Sequence, residues 1–380
     1  MKLADLPTPS LVLDAARLSR NAERMRKRAE GLKVSLRPHL KTSKSAEVAR
    51  VAHGGKTGPI TVSTLAEAEY FAGRGFVDIL YAVGIVPDKL DRAAALMARG
   101  VDLTIVTDEP GVARAIAARG EALGAKFRVL IEIETGGERA GVLPDSPELA
   151  EIGATLARVD MLAGVMAHAG HSYGAESVSE IEEIAEAERA GVVLAAERLR
   201  GAGHRVDIVS VGSTPTALYA KHLTGVTEMR PGVYLFFDLF QLGLGMCAPE
   251  DMAVGVLASV TGHRTARKQM LLDAGGLALS KDIGANRHID GVGYGFVRKP
   301  GAALPRRPLA VLDVHQEHGI VGAPKGLDAI EPFPYAEYPV GAKVLVMPNH
   351  VCMTSAMYDR YHVVDGSDEI VAVWDRVNGW

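Results

Sequence analysis

Two kinds of segment alternate along the first two-thirds of the chain. Short apolar runs rich in β-branched residues are followed by alanine-rich segments whose apolar residues recur at helical spacing, and several of these segments end in glycine, as helices commonly do. The apolar runs predict eight strands, at residues 34–38, 59–63, 78–83, 102–106, 127–133, 161–167, 206–211 and 226–230. Eight β-then-α units predict a (β/α)8 barrel of the TIM type, and a doubly wound open sheet is the competing arrangement of the same pattern.

The segment before the first of these strands predicts an opening helix over about residues 15–30. Its apolar face contains Leu18, Ala22, Met25 and Ala29, and Asp14 is the expected N-cap.

The pattern changes after about residue 245. Helical segments become scarce, and strand-like runs punctuated by glycine and proline dominate to the C-terminus. We therefore predict an α/β barrel domain over residues 10–245 and an all-β domain formed by residues 246–380 together with residues 1–9.

Charge and hydropathy exclude several classes of protein. The 380 residues include 42 Lys+Arg and 46 Asp+Glu, so the net charge of −4 leaves no basic surface typical of nucleic-acid binding. We find no apolar run long enough to cross a membrane, and the N-terminal residues lack the basic-then-apolar pattern of a signal peptide, so we expect a cytoplasmic protein.

The residues that follow the first barrel strand include a candidate nucleophile. A barrel enzyme carries its chemistry at the C-terminal ends of its strands. Lys41 lies at such an end, and a partly desolvated lysine beside other cations, here Arg37, His39 and Lys44, can attack a carbonyl. The alternative is a basic loop on the surface, and the motif taken by itself favours this alternative.

Two further strand ends carry polar side chains. Arg139 follows a Gly-Gly pair after the fifth strand, where it could bind an anionic oxygen or pair with a neighbouring glutamate. His168, His171 and Tyr173 lie within six residues after the sixth strand. Two imidazoles and a phenol crowded into one loop favour a functional role, such as stacking on a flat cofactor.

The loops after the seventh and eighth strands have the composition of a phosphate site. Ser213 and Thr214 precede an expected helix, and Gly232 could supply a second backbone donor. An ordinary capped helix is the alternative for either loop alone, but phosphate sites recur after these two strands of barrels.

A candidate metal site lies in the C-terminal domain. In an extended segment His350 and Cys352 would face the same way, and a thiolate beside an imidazole suits zinc, whereas manganese prefers oxygen ligands. The spacing alone favours a buried cysteine with a hydrogen-bonded histidine.

Seven motifs together resemble one known family. They are RPHLKTSKSAEVAR, ERAGV, AHAGHSYG, GSTPT, MRPGVYLFFD, QEHG and PNHVC with YDRYHVV. In this order, between DLPTPSLVLD and EIVAVWD, they resemble the D-threonine aldolase/D-serine dehydratase family. These are fold-type III enzymes that use pyridoxal 5′-phosphate (PLP) and have an alanine-racemase-like barrel.

The resemblance implies a role for particular residues. Lys41 would carry PLP on its amine, His350 and Cys352 would bind a divalent metal (Mn²⁺, Zn²⁺ or Mg²⁺), and Arg230 falls where alanine racemases place an arginine near the pyridine nitrogen. His171 and His318 are candidate bases. The remaining expected cofactor contacts are His39, Arg139, His168, Tyr173, Ser213, Thr214, Gly232, Val233 and Tyr234.

Two departures from the family pattern bear on the reaction. Many relatives have a second histidine in the first motif where this chain has Ser43. Several bacterial aldolases have Asp as the second metal ligand, whereas Cys352 matches the D-serine dehydratases.

These features predict a lyase that depends on PLP and a divalent metal and acts on D-β-hydroxy-α-amino acids. Our main expectation is a D-threonine aldolase, which cleaves its substrate to glycine and an aldehyde. The alternative is a D-serine or 3-hydroxyaspartate dehydratase, which forms a 2-oxo acid and ammonia. A non-catalytic PLP-binding protein and an alanine racemase are less favoured, and the resemblance implies a homodimer.

Overall fold

The computed structural model describes residues 1–326 and 330–380, which divide into two compact units. The barrel unit consists of Glu23–Gly232 with Val377–Trp380, and the β unit consists of Met1–Ala22 with Val233–Arg376. Strand β1 (Ser10–Asp14) and helix α1 (Ala15–Leu32) come first in the chain. The domain boundaries expected from the sequence stay a prediction.

Helix α1 follows the expected pattern. Leu18, Ala22, Met25 and Ala29 are all at most 3% exposed, so the predicted apolar face is the buried one. The side chain of Asp14 accepts a hydrogen bond from the Arg17 amide at 3.1 Å, as an N-cap does.

Eight parallel strands form the barrel unit. They are β2 (Ser35–Leu36), β3 (Ile60–Val62), β4 (Asp78–Gly84), β5 (Asp102–Thr107), β6 (Arg128–Glu132), β7 (Leu162–Met166), β8 (Ile208–Val211) and β9 (Glu228–Met229). Their order is β2-β9-β8-β7-β6-β5-β4-β3. A parallel bridge between His39 and Thr61 joins the chain after β2 to β3 and closes the sheet. The structure therefore confirms the predicted barrel and not the alternative, an open sheet.

Several helices of the barrel unit begin at a side-chain cap. Thr64, Ser146 and Ser177 each accept a hydrogen bond from the backbone of the first helical turn, an interaction that typically stabilises a helix by about 1 kcal/mol. No described helix has both the length and the apolar character needed to cross a membrane. The helices are α2 (Ala46–Ala52), α3 (Leu65–Ala72), α4 (Leu90–Ala98), α5 (Pro110–Leu123), α6 (Pro147–Ala157), α7 (Val178–Gly201) and α8 (Thr214–Tyr219).

The barrel strands bury two kinds of side chain. Leu80, Val106, Leu130 and Met166, from β4 to β7, pack together as an apolar cluster. Strands β8 and β9 also carry buried polar residues. Ser210 on β8 pairs in register with Glu228 on β9, and Arg230 follows two residues later on the same face.

The β unit is built on a closed ring of strands. Strand β10 pairs with both β11 and β15, and the ring continues through β14, β13 and β12. Strands β1, β16 and β17 extend the sheet beyond β10. The additional strands are β10 (Val254–Arg264), β11 (Gln269–Leu272), β12 (Gly295–Arg298), β13 (Leu309–Val314), β14 (Gly319–Gly322), β15 (Lys343–Pro348), β16 (Arg360–Val364) and β17 (Ala372–Asp375). Three short helices connect them, α9 (Leu239–Gly243), α10 (Gly276–Leu279) and α11 (Val351–Ser355).

This architecture confirms the expected all-β C-terminal region. The sequence analysis did not predict β12 or β14, because each has four residues and is bounded by glycine, so neither shows a clear alternation. It also did not predict β1, whose partners β10 and β16 lie far away in the chain.

Candidate active site

A cavity of about 260 Å³ opens at the C-terminal ends of the barrel strands. Parallel strands in register bring their following loops together at this face. The cavity therefore collects five of the residues expected to bind the cofactor, from the loops or ends of β2, β6, β7 and β9. They are His39, Lys41, Arg139, His168 and Arg230.

Lys41 lies in the turn after β2 and is exposed to solvent. Two of the cations expected beside it have other partners, which corrects the sequence analysis. Arg37 forms ion pairs with two carboxylates inside the barrel, and Lys44 pairs with Glu67 at 3.3 Å. The cations that share the cavity with Lys41 are Arg139 and Arg230.

The two histidines of the cavity are neutral rings. Burial lowers the pKa of His39 well below its usual value, and the positive charge of Lys41 lowers it further. The same two causes lower the pKa of His168 to about 3. Since Nδ1 of His168 donates to the Gly212 carbonyl at 2.7 Å, its Nε2 is the acceptor nitrogen. A neutral ring of fixed orientation suits contact with a flat aromatic cofactor.

Arg139 follows the Gly136–Gly137 turn and is 61% exposed at its side chain. It pairs with Glu132, with Nη2 at 3.3 Å from Oε1, and not with the glutamates expected in the sequence analysis. Burial raises the pKa of Glu132, whereas the charge of Arg139 lowers it. Glu134 instead accepts hydrogen bonds from the two glycine amides and so closes the turn.

The backbone of the loops after β8 and β9 packs closely against neighbouring backbone. A Cβ at Gly212 would lie 2.7 Å from the Arg230 amide nitrogen, and one at Gly232 would lie 2.6 Å from the His39 carbonyl oxygen. Gly212 also has a φ of +138°, in a region that side chains rarely adopt. Only glycine therefore lets these backbones approach each other.

The hydroxyl groups expected to bind phosphate cap a helix. Ser213 accepts a hydrogen bond from the Thr216 amide at 3.2 Å and also contacts the Ser172 hydroxyl. The Tyr173 hydroxyl accepts from the Thr214 amide at 3.5 Å. These contacts join the loop after β7 to the start of α8.

The sequence analysis missed one residue that organises the site. Glu188 on α7 is 1% exposed, and its carboxylate accepts from the amides of Ala169 at 2.9 Å and Gly212 at 3.0 Å and from the Thr216 hydroxyl at 3.0 Å. It thereby ties together the loops after β7 and β8. A signal was present in the sequence, because Glu188 interrupts an apolar helix face that includes Ile181, Ala185 and Val192.

The remaining expected site residues do not line the cavity. His171 lies close to Gly137, and its Nδ1 is buried without a hydrogen-bond partner in the described part of the chain. His318 is exposed in the turn between β13 and β14, and Val233 and Tyr234 are buried members of the β unit. Their roles stay predictions.

The donors at the cavity fit PLP. Lysine supplies the amine, the neutral His168 ring a flat face, and two arginines the positive charge that an anionic cofactor needs. The close backbone approach at Gly212 and Gly232 brings together the loops after β8 and β9, the position where phosphate sites recur in barrels.

The candidate metal pair lies in the β unit. His350 caps the start of α11, and Cys352 lies in its first turn, so the pair comes from a helix start and not from the extended segment that we expected. Burial lowers the pKa of His350, but hydrogen bonds to Asp282 and Cys352 raise it to about 11. Among residues 1–326 and 330–380, no group of three or more His, Cys, Asp or Glu is placed to hold a metal ion.

The surroundings of the pair nevertheless suit a metal. The Nδ1 of His350 donates to Asp282 at 2.7 Å, so Nε2 is the nitrogen that would ligate a metal, which would take the place of its proton. A carboxylate that orients a histidine in this way is common beside metal ions, and an imidazole with a thiolate fits zinc.

The chain matches two protein families in succession. Residues 13–239 match the family described as "Alanine racemase, N-terminal domain", and residues 253–364 match the "Putative serine dehydratase domain". It is 45% identical to a D-threo-3-hydroxyaspartate dehydratase from Delftia sp. (strain HT23), with 100% of this chain and 99% of the relative aligned. It is 32% identical to a D-serine dehydratase from Dictyostelium discoideum, over 99% of this chain and 98% of the relative.

A D-threonine aldolase from Arthrobacter sp. is more distant, at 28% identity over 98% of this chain and 93% of the relative. Among solved structures, a cysteine-to-alanine variant of a D-threo-3-hydroxyaspartate dehydratase in its metal-free form superposes with a TM-score of 0.96 at 44% identity, over 100% of both chains. The chain therefore belongs to the fold-type III PLP enzymes of the D-serine dehydratase and D-threonine aldolase family.

Proposed function

We propose that this protein is a dehydratase that acts on D-β-hydroxy-α-amino acids, with D-3-hydroxyaspartate as the preferred substrate and D-serine as a second one. The observation that carries the proposal is the 45% identity, over the whole chain, to a D-threo-3-hydroxyaspartate dehydratase. The D-threonine aldolase at 28% is a weaker match, so the comparisons favour the alternative of our sequence analysis over its main expectation. Cys352 supports the same choice, because it matches the dehydratase pattern of the metal pair.

The reaction removes a proton from Cα and hydroxide from Cβ, and hydrolysis of the resulting enamine gives a 2-oxo acid and ammonia. Bound PLP supplies an electron sink for the charge left at Cα. Lys41 would hold the cofactor and, once its amine is free, is the candidate base for the α-proton. His168 keeps a neutral ring at the cavity, and Arg139 and Arg230 contribute positive charge there.

A divalent metal would be held by His350 and Cys352 in the β unit, with Asp282 fixing the imidazole. At such a position a metal supplies Lewis-acid chemistry towards a hydroxyl group. The metal-free form described for the cysteine variant of the dehydratase supports a metal in that relative. We propose zinc for this chain because its donor pair is nitrogen and sulfur.

A product assay tests the proposed reaction. The purified protein, loaded with PLP and zinc, is incubated separately with D-threo-3-hydroxyaspartate, D-serine and D-threonine. We expect oxaloacetate and pyruvate, each with ammonia, from the first two substrates. Glycine with glyoxylate or acetaldehyde would instead establish an aldolase. In a further incubation with D-alanine, formation of L-alanine would establish a racemase.

The attachment of the cofactor is tested separately. Borohydride reduction followed by peptide mapping should trap PLP on Lys41, and the Lys41→Arg variant should show no trapped cofactor. Trapping on Lys41 in a protein that turns over none of these substrates would establish a PLP-binding protein without catalysis. Size-exclusion chromatography with light scattering tests the proposed homodimer.

A further inference from the structure

A continuous series of polar side chains runs through the interior of the barrel to the cavity. We call it the interior polar chain, and it consists of Asp78, Arg37, Glu228, Ser210 and Arg230. Arg37 binds Asp78 through Nη1 at 2.7 Å and Glu228 through Nε at 2.8 Å. Glu228 accepts from the Ser210 hydroxyl at 2.6 Å, and Ser210 contacts Nη1 of Arg230. At the other end, Arg230 lines the cavity.

The direction of each hydrogen bond in this chain is fixed by the chemistry of its members. Arginine has donors and no acceptor, so the Ser210 oxygen accepts from Arg230 and its proton goes to Glu228. The second anchor of Arg230 is the Ala167 carbonyl oxygen, at 2.5 Å from Nη2. With both terminal nitrogens anchored, the guanidinium plane has one orientation.

Glu228 lies between two guanidinium groups and offsets their charge. Burial lowers the pKa of Arg230, and the negative charge of Glu228 is the largest influence that raises it. Arg230 is 3% exposed and therefore depends on such compensation, because an uncompensated buried charge is strongly unfavourable.

Packing alone does not account for these residues. The strands β4 to β7 of the same barrel contribute the apolar cluster of Leu80, Val106, Leu130 and Met166. Since buried ion pairs are often no more stabilising than apolar residues of the same volume, the interior polar chain points to a purpose at the end where it meets the cavity.

We propose that Ser210 and Glu228 are positioning residues, which hold Arg230 in the one orientation that directs its guanidinium to the ring nitrogen of the bound cofactor. The inference rests on the proposed function, in which this cavity holds PLP, and on the family resemblance, which implies that Arg230 lies near the pyridine nitrogen. A guanidinium fixed in this way keeps the ring nitrogen unprotonated, because it always donates and never accepts. Arg37 and Asp78 secure Glu228 from the opposite side.

The test uses PLP labelled with ¹⁵N in its ring and two variants, Ser210→Ala and Glu228→Gln. In Ser210→Ala the guanidinium keeps only the Ala167 anchor, so water gains access and the ring nitrogen takes up a proton more readily. We expect its ¹⁵N resonance to move towards the protonated position as the pH is lowered through neutrality. We also expect the dissociation constant of PLP to rise about tenfold, which corresponds to the loss of one charge-assisted hydrogen bond. Glu228→Gln should change both quantities in the same direction.

Thr104→Ala is the matched control. Thr104 is 2% exposed on β5, so this variant also loses a buried hydroxyl from a barrel strand, but that hydroxyl has no hydrogen-bond partner among the described residues. We expect its ¹⁵N resonance and PLP affinity to equal those of the wild type. The inference is overturned if both variants also match the wild type, or if the control changes as much as they do. A wild-type protein that binds no PLP would contradict the proposed function itself.

Discussion

The carboxylate of Glu188 should determine whether the loops after β7 and β8 keep their positions. The informative perturbation is a comparison of Glu188→Ala with Glu188→Gln. In the alanine variant the buried amides of Ala169 and Gly212 lose the acceptor that they share, whereas the Thr216 hydroxyl keeps its contact with Ser213.

The size of the effect follows from the number of donors left without a partner. A buried donor without an acceptor costs about 1–3 kcal/mol, so two such amides lower the free energy of unfolding by about 4 kcal/mol. Glutamine retains a carbonyl oxygen that can accept from both amides, and the Thr216 hydroxyl can accept from its NH₂ group. We therefore expect Glu188→Gln to lose only about 1 kcal/mol.

The assay is urea denaturation followed by circular dichroism, with the PLP dissociation constant measured on each folded variant. The alanine variant should unfold at a clearly lower urea concentration and bind PLP more weakly, because His168 and Gly212 lie on the released loops. Equal unfolding midpoints for the alanine and glutamine variants would refute the reasoning, since they would show that the three hydrogen bonds contribute nothing.

A comparison of the wild type with Glu188→Gln also gives a prediction about pH. Burial raises the pKa of Glu188 above its usual value, so the folded state favours its protonated form. The stabilisation of the folded state that results is complete at pH values below the pKa of Glu188 in the unfolded chain. It is lost as the pH rises through the pKa of Glu188 in the folded state. The stability advantage of the wild type over Glu188→Gln should therefore shrink with rising pH. A stability advantage of the wild type that grows with rising pH would contradict this prediction.

Three further predictions concern other parts of the two units. Asp282→Asn should weaken zinc binding about 10- to 100-fold in competition with a chelator, because the metal-binding imidazole loses its orienting carboxylate; unchanged affinity would argue against a zinc site there. Gly232→Ala should lower the melting temperature and the PLP affinity, since its Cβ would lie 2.6 Å from the His39 carbonyl oxygen, whereas Gly174→Ala, with open space around it, should change neither. The NMR signals of His168 should show no titration near neutral pH, because its pKa lies at about 3, and a midpoint between pH 6 and 7, the usual histidine range, would contradict its assigned environment.

The strand-helix alternation carried enough information to predict the barrel and the loops that form its cavity. The periodicity of apolar residues and the glycines that end helices are local signals, and they predicted the strand ends at which Lys41, His168 and Arg230 lie around the cavity. The partners of these residues were not predictable in the same way. Arg37 was expected beside Lys41, but its carboxylate partners Asp78 and Glu228 come from strands that only the closed barrel brings together.

The C-terminal domain shows the same limit for short elements. The two glycine-bounded strands β12 and β14 acquire their structure from their neighbours and not from their own composition. At the candidate metal site, an extended backbone was expected through His350 and Cys352, but a helix begins at Val351. The Asp238 carboxylate accepts the hydrogen bond of the Val351 amide at 2.9 Å, and this distant residue gave no signal in the local sequence.

The closure of the barrel has a consequence for the dynamics of the lysine. The bridge at His39 and Thr61 is a short seam, and Lys41 comes two residues after it. The longer ladders, such as that between β5 and β6, keep their register when a short seam frays, because each carries more hydrogen bonds. Any opening at this seam would move the segment that leads into Lys41, so the candidate nucleophile is positioned by the hydrogen bonds on either side of the bridge, between Leu40 and Thr61 and between Thr61 and Pro38.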